Sequence, residues 1–208
     1  MTKPLTCTDP KNILRTPTSS LKCVIAGEEK RGTKMPKDFN LLATTSRGLE
    51  RAACSELRYL LEQAGDTTAD VRKSGVRGLI VAKTALDPFE VVRILREILV
   101  DRPYEFRYTL RIIPVEATVT TDLIAIADKA KELSSKIGEN ETFRVTVEKR
   151  FTSLHADEIV EAVAAKIKRK VNLAQPDKII LVEVVGASTG VSTMRPEDVI
   201  SVLKEKML

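Results

Sequence analysis

Apolar positions along the chain switch between two periods, and each switch marks an element. Over residues 141–186, Phe143, Val145 and Val147 recur at every second position, then Ile159, Val160, Val163, Ile167 and Val171 follow at helical spacing. The stretch therefore predicts strand, helix, strand. Thr152 and Ser153 stand where a helix start needs a side-chain acceptor. Asp157 and Glu158 supply first-turn acids, and Lys166, Lys168, Arg169 and Lys170 the last-turn bases. Pro176-Asp177 then breaks the chain before residues 179–185, a run apolar on both faces except at Glu183, as in a central strand covered on both sides.

The same switching organises the rest. FNLLATTSR at 39–47 predicts a strand, and Gly48 opens a helix through Leu49, Ala53, Leu57, Leu60 and Leu61 to a stop at Gly65. Residues 71–84 hold a Ser74-Gly75 turn and a buried strand at 79–82; Asp87-Pro88 then starts a helix through Val91, Val92, Leu95, Ile98 and Leu99. Two such β-α-β units predict a small ferredoxin-like sheet with helices on one face. Residues 104–121 are extended, with Pro114 expected at an edge or bulge because it lacks an N–H. Asp122 begins a helix through Ile124, Ile126, Ala127, Ala130 and Leu133 that Gly138 ends. A turn at 186–190, a strand at 191–195 and a closing helix from Pro196 through Val199, Ile200 and Leu203 complete the chain. The fold class expected is α/β (α+β), with a ferredoxin-like subdomain at 38–103 and a second α/β domain at 104–208.

Charge changes the picture once it is located. The chain's formal net charge is +5, but residues 1–37 alone hold eight Lys or Arg against three Asp or Glu, and the remainder carries 26 of each. Those first 37 residues, interrupted by Pro4, Pro10, Pro17 and Pro36, read as a basic, disordered arm. Any attraction of the folded body for a polyanion must come from how its charge is distributed. Three cysteines, Cys7, Cys23 and Cys54, share no disulfide or zinc-knuckle spacing, and no apolar run approaches a spanning length. A reducing, cytoplasmic setting without metal or cofactor is expected.

Motifs at 143–183 carry a resemblance. Phe143, Val145, Lys149 and Arg150, then Thr152-Ser153, then Val171, Leu173 and Pro176-Asp177, then Glu183 resemble the F-x-V-x-x-x-K-R, T-S, V-x-L-x-x-P-D and E pattern of the THUMP domain, an RNA-binding module of tRNA-modifying proteins. The segments PDKIILVEVVG and GVSTMRPEDVISVL are similar to the free-standing archaeal and eukaryotic subfamily that serves the RNA cytidine acetyltransferase. The sequence stops just after the predicted closing helix, which fits that expectation. The resemblance implies a tRNA-binding adaptor, holding the acceptor stem and 3′ end while a separate acetyltransferase forms N4-acetylcytidine in the D-arm. Two alternatives stay open: a detached substrate-binding part of a THUMP-containing tRNA methyltransferase or thiouridine synthetase, and a ferredoxin-like protein-interaction domain without RNA binding.

The residue types agree with binding more than with catalysis. His155 is the only histidine, no Walker or dinucleotide-binding glycine motif is present, and Asp157-Glu158 are neighbours that point apart on a helix. Catalytic and metal-ligating residues are therefore expected to be absent. Bases cluster instead: Arg72, Lys73, Arg77 and Lys83; Arg102, Arg107 and Arg111; Arg144, Lys149 and Arg150; and Lys166, Lys168, Arg169 and Lys170. The expected RNA-binding set is Lys73, Arg77, Arg107, Arg111, Arg144, Lys149, Arg150, Lys166, Lys168, Arg169 and Lys170, gathered on one side. Lys149 and Arg150 coincide with the family's K-R. With 4% aromatics and no Trp, stacking platforms are not expected, and recognition is read as backbone and shape.

Overall fold

The computed structural model describes residues 38–207; the predicted basic arm lies outside them. The first half runs β1 (Leu41–Thr45), α1 (Glu50–Gln63), β2 (Asp70–Lys73), β3 (Leu79–Lys83), α2 (Pro88–Asp101) and β4 (Thr109–Pro114). These strands lie in the order β4-β1-β3-β2, all antiparallel, which is the ferredoxin-like arrangement. The second half continues with β5 (Ala117–Thr120), α3 (Leu123–Leu133), β6 (Thr142–Arg150), α4 (Ala156–Lys166), β7 (Lys170–Val171), β8 (Lys178–Val185) and β9 (Ser188–Met194). They form a second sheet, β5-β9-β8-β6-β7, in which β6 runs parallel to both β7 and β8. The chain closes with β10 (Ile200–Ser201) and α5 (Val202–Glu205).

The two sheets pack against each other, each with its helices on the outer face. Leu41, Ala43, Ile80, Ala82 and Ile112 turn toward α1 and α2, whereas Leu42, Leu79, Val81 and Ile113 meet Leu181, Val185 and Met194 of the second sheet. On β8, Ile180, Val182 and Val184 face α3 and α4. That strand is thus covered on both faces, as its pattern predicts. Gly190 marks a close approach of the sheets: a Cβ there would lie 2.9 Å from Val115 Cγ1 and 3.2 Å from Phe39 Cε2.

Helix starts follow chemistry that is legible locally. Asp87 accepts from the N–H of Phe89 and Glu90, with Pro88 at the first helical position, and Asp122 accepts from Ile124 and Ala125. At α4 the expectation shifts. His155, not Thr152 or Ser153, is the N-cap residue, and its N–H donates to Glu158 Oε2 at 3.0 Å. Thr152 instead accepts from Leu154 N–H inside the preceding turn.

Further expectations change where pairing between strands overrides local period. The extended segment 104–121 divides between the sheets, β4 joining the first and β5 the second, so the first sheet takes a strand from beyond residue 103. Pro114 ends β4 beyond Arg111 and Ile112, the residues that pair with β10, so only β1 flanks it there, as expected of an edge position. Helix α4 stops at Lys166, and Lys170-Val171 becomes an edge strand beside Thr142-Phe143. At the C-terminus Ile200 and Val202 are both buried, an alternation that makes β10 pair with β4 and leaves only α5 of the predicted closing helix. The predicted strand at 191–195 begins earlier, at Ser188.

Candidate nucleic-acid interface

One end of the first sheet is built to display arginine. Thr45 N–H donates to Gly78 O at 2.9 Å and Thr45 Oγ1 to Tyr108 O at 2.7 Å, so the loops after β1, after β2 and before β4 converge. Two carboxylates from α1 fix them. Glu50 Oε1 accepts from the N–H of Gly48 at 3.1 Å and Gly78 at 2.7 Å, and the Gly78 bond is the main cause that holds its carboxyl below the usual range. Glu56 accepts from three consecutive amides, those of Arg107, Tyr108 and Thr109, at 2.7, 2.9 and 2.7 Å. Gly78 has φ +75° and a Cβ there would stand 2.9 Å from Thr45 O, so this convergence needs glycine.

Arg47, Lys73, Arg77, Arg107 and Arg111 are exposed around these loops. Among the described residues, the side chains of Arg47, Lys73, Arg77 and Arg111 make no hydrogen bond or ion pair, and Arg107 Nε donates to Tyr104 O at 3.2 Å. Arg47 escaped the sequence reading because it stands alone among Thr, Ser and Gly. Its signal was the strand-to-helix loop that holds it.

The family's Lys149-Arg150 pair is engaged within the fold. Arg150 Nη1 lies 2.7 Å from Glu183 Oε2, whose side chain is 2% exposed, and Arg150 itself is about a quarter exposed. Burial pushes the Glu183 carboxyl up, while the charge and hydrogen bond of Arg150, and the charge of Arg111, oppose that push. Lys149 Nζ donates to Leu154 O at 2.9 Å across a turn in which Phe151 has φ +55°. Arg144 Nη1 donates to Leu173 O at 3.0 Å. As alternation predicts, Arg144 and Arg150 lie on the strand face opposite Phe143, Val145 and Val147.

The four groups of bases do not gather on one side. Lys170 pairs with Thr142 at the start of β6 and Arg150 ends that nine-residue strand, so the groups around them stand about 26 Å apart along it. Lys166 pairs with Asp128, Arg169 donates to the carbonyls of Ile137 and Lys168, and Lys168 and Lys170 stay exposed. The reason is the connection: α4 returns antiparallel to the parallel strands β6 and β8, so its C-terminal end lies by the start of β6.

His155 is an exposed cap residue, and Cys54 is buried with its thiol pushed up by burial. Among the described residues no cluster of His, Cys, Asp and Glu is arranged to hold a metal, and no helix is long and apolar enough to cross a membrane.

Comparison with known proteins bears on the fold of most of the chain and on a family for its second half. No curated protein matches the chain. PH1313 from Pyrococcus horikoshii Ot3 superposes with a TM-score of 0.60 at 18% identity, over 76% of this chain and 55% of its own. TrmN from Thermus thermophilus gives 0.50 at 16% identity, over 75% of this chain and 45% of its own. The chain thus spans about half the length of the solved proteins whose fold it shares. The family model for the THUMP domain matches residues 120–194, from the end of β5 through β9, and the chain contains a THUMP domain there.

Proposed function

We propose that the chain is a non-catalytic tRNA-binding adaptor, acting in an intracellular, reducing compartment, that presents tRNA to a separate RNA cytidine acetyltransferase for N4-acetylcytidine formation in the D-arm. One observation carries the binding half of this reading: four unpaired cations, Arg47, Lys73, Arg77 and Arg111, surround one end of the first sheet while the nearby acids Glu50 and Glu56 are turned onto backbone amides. A body with balanced formal charge thereby offers phosphate a positive end beside a THUMP domain. The adaptor role, the acetyltransferase partner, and the acceptor stem with its 3′ end as docked element rest on the motifs at 143–183.

The test has two stages. Binding of tRNA should weaken with salt at a slope of about 0.7–0.9 per neutralised phosphate, and Arg47→Ala, Arg77→Ala and Arg111→Ala should each lower that slope by about one. Unchanged slopes would remove the site assignment. Nucleoside analysis of tRNA from a deletion strain then reads the pathway, where loss of N4-acetylcytidine alone supports the adaptor.

A second reading is favoured by length. Because the chain spans only 55% and 45% of its fold neighbours, it also suits the substrate-binding part of a THUMP-containing tRNA methyltransferase or thiouridine synthetase. Disappearance of a methylated or thiolated nucleoside instead of N4-acetylcytidine would select it. Failure to bind any structured RNA at low salt would leave a protein-interaction domain.

A further inference from the structure

We infer that a tyrosine-lined cleft on the outer face of α1 receives an unpaired RNA base, continuous with the backbone site proposed above, on which this inference rests. The chain has three tyrosines and all three meet there. Tyr59 comes from α1, Tyr104 from the turn after α2, and Tyr108 from the loop before β4; with Ala52, Ser55 and Arg107 they line an open cleft of about 540 Å³. Their exposures of 43%, 63% and 37% are large for aromatic side chains. The proposal runs against the expectation drawn from the low aromatic content, because convergence in space matters more than abundance.

The cleft favours a nucleobase over an apolar partner for reasons of charge and rigidity. Its two acids are engaged within the fold: Glu56 holds three amides, and Glu105 accepts through Oε1 from Tyr59 Oη at 3.3 Å and Arg102 Nη1 at 2.9 Å, while its buried Oε2 has no partner among the described residues. Arg107 lines the cleft and is fixed by Tyr104 O, and exposed Arg51 lies one helical turn from Ser55, which also lines it. Aromatic faces between guanidinium groups suit a base stacked on tyrosine with its phosphates on arginine. Because Glu56 ties the Tyr108 loop to α1, the walls are pre-set and little ordering is needed on binding. The unpaired residues of a strand whose duplex part lies on Arg47, Arg77 and Arg111 would reach the cleft past Arg107.

The absence of Trp makes the site directly observable, since all tyrosine emission of the full chain arises from this cleft. Two RNA hairpins of identical stem are titrated, one blunt and one with a four-nucleotide unpaired 3′ extension. Binding of the extended hairpin should quench tyrosine fluorescence, and it should exceed blunt-hairpin affinity by roughly five- to a hundred-fold. Tyr104→Ala should remove most of that advantage while leaving blunt-hairpin affinity unchanged, and Tyr104→Trp should restore it. An internal unpaired loop in place of the extension tests whether a free end is needed, and quenching by either supports base binding. Equal affinities without quenching overturn the cleft and leave the backbone site standing. Binding of neither hairpin overturns both.

Discussion

Replacing Arg150 by Met isolates the ion pair that the second sheet buries. Glu183 stands between Leu181 and Val185 on the strand face turned to the first sheet, and its only strong partner is Arg150 Nη1 at 2.7 Å. Truncating one side of a buried pair costs about 3–5 kcal/mol; Arg150 keeps about a quarter of its exposure, so we expect about 2–3 kcal/mol at neutral pH. Met preserves the aliphatic stem, which separates lost charge from lost packing. Because Glu183 is raised above its unfolded value by burial, protonation favours the folded state, and the cost of ionising it is absent below the unfolded pKa and appears as pH rises through the folded one. Without Arg150 the folded pKa rises further, so the loss relative to wild type should be small in acid and grow toward neutrality. Urea denaturation at about pH 4.5 and about pH 7.5 reads this directly. Adding Glu183→Leu should recover most of the neutral-pH loss, because a neutral side chain needs no counter-charge. A loss that is equal at both pH values, or one that Glu183→Leu fails to recover, would refute the account. The outcome also bears on function: a drop in RNA affinity on mutating Arg150 means little until stability is known, and Arg111, whose charge also reaches Glu183, needs the same control, whereas Arg77 does not act on that carboxylate.

Other substitutions probe the same architecture. Gly190→Ala drives a methyl group into Val115 and Phe39 and should cost about 1–3 kcal/mol in urea melts with little change in m-value. Gly78→Ala combines a positive φ with a backbone clash and should cost about 1–2 kcal/mol; since it moves the Arg77 loop, it should also weaken tRNA binding measured by anisotropy. Burial works to raise the Asp66 carboxyl, but hydrogen bonds from Thr84, Ala85 and Thr68 outweigh it and hold the group at about 2. Its contribution is therefore present above the unfolded pKa near 3.9 and is lost as pH falls through about 2, so Asp66→Asn should lose about 1.5–3 kcal/mol at pH 7 and flatten the acid limb of a thermal-melt series.

Elements whose stabilising contacts are local were legible in the sequence. The Asp87-Pro88 and Asp122 helix starts and the two-faced apolar run of β8 each follow from a few adjacent residues, and the structure places them as read. What failed depended on partners far along the chain. Residues 104–121 look uniform as a sequence, but β4 is claimed by β1 and β5 by β9, a choice made by strand pairing. Ile200 fits a helical stripe as well as a strand until Ile112 is available to pair with it. The site behaves alike. Clustering of bases could be counted, whereas Arg150 facing a buried carboxylate, and Tyr59 meeting Tyr104 and Tyr108 from 45 and 49 residues further on across one cleft, are products of the tertiary fold.

Balanced composition would make this body a poor ligand for RNA if charge alone mattered, so the asymmetry must come from where each sign is held. Glu50 and Glu56 are short, rooted on a helix, and directed at amide N–H groups behind the loops. Arg47 and Arg77 on those same loops have long stems and no side-chain partner among the described residues, and both are exposed. Screening in physiological salt acts over about 8 Å, a distance comparable to one arginine side chain. A phosphate arriving at this end therefore meets unpaired guanidinium groups, while the acids beside them are engaged by amide N–H groups. Glu183 repeats the device in the second sheet, its charge withdrawn beneath Arg150 with Arg111 nearby. The amide donors that fix the loops in place are in this way also the groups that turn a neutral surface into a cationic one.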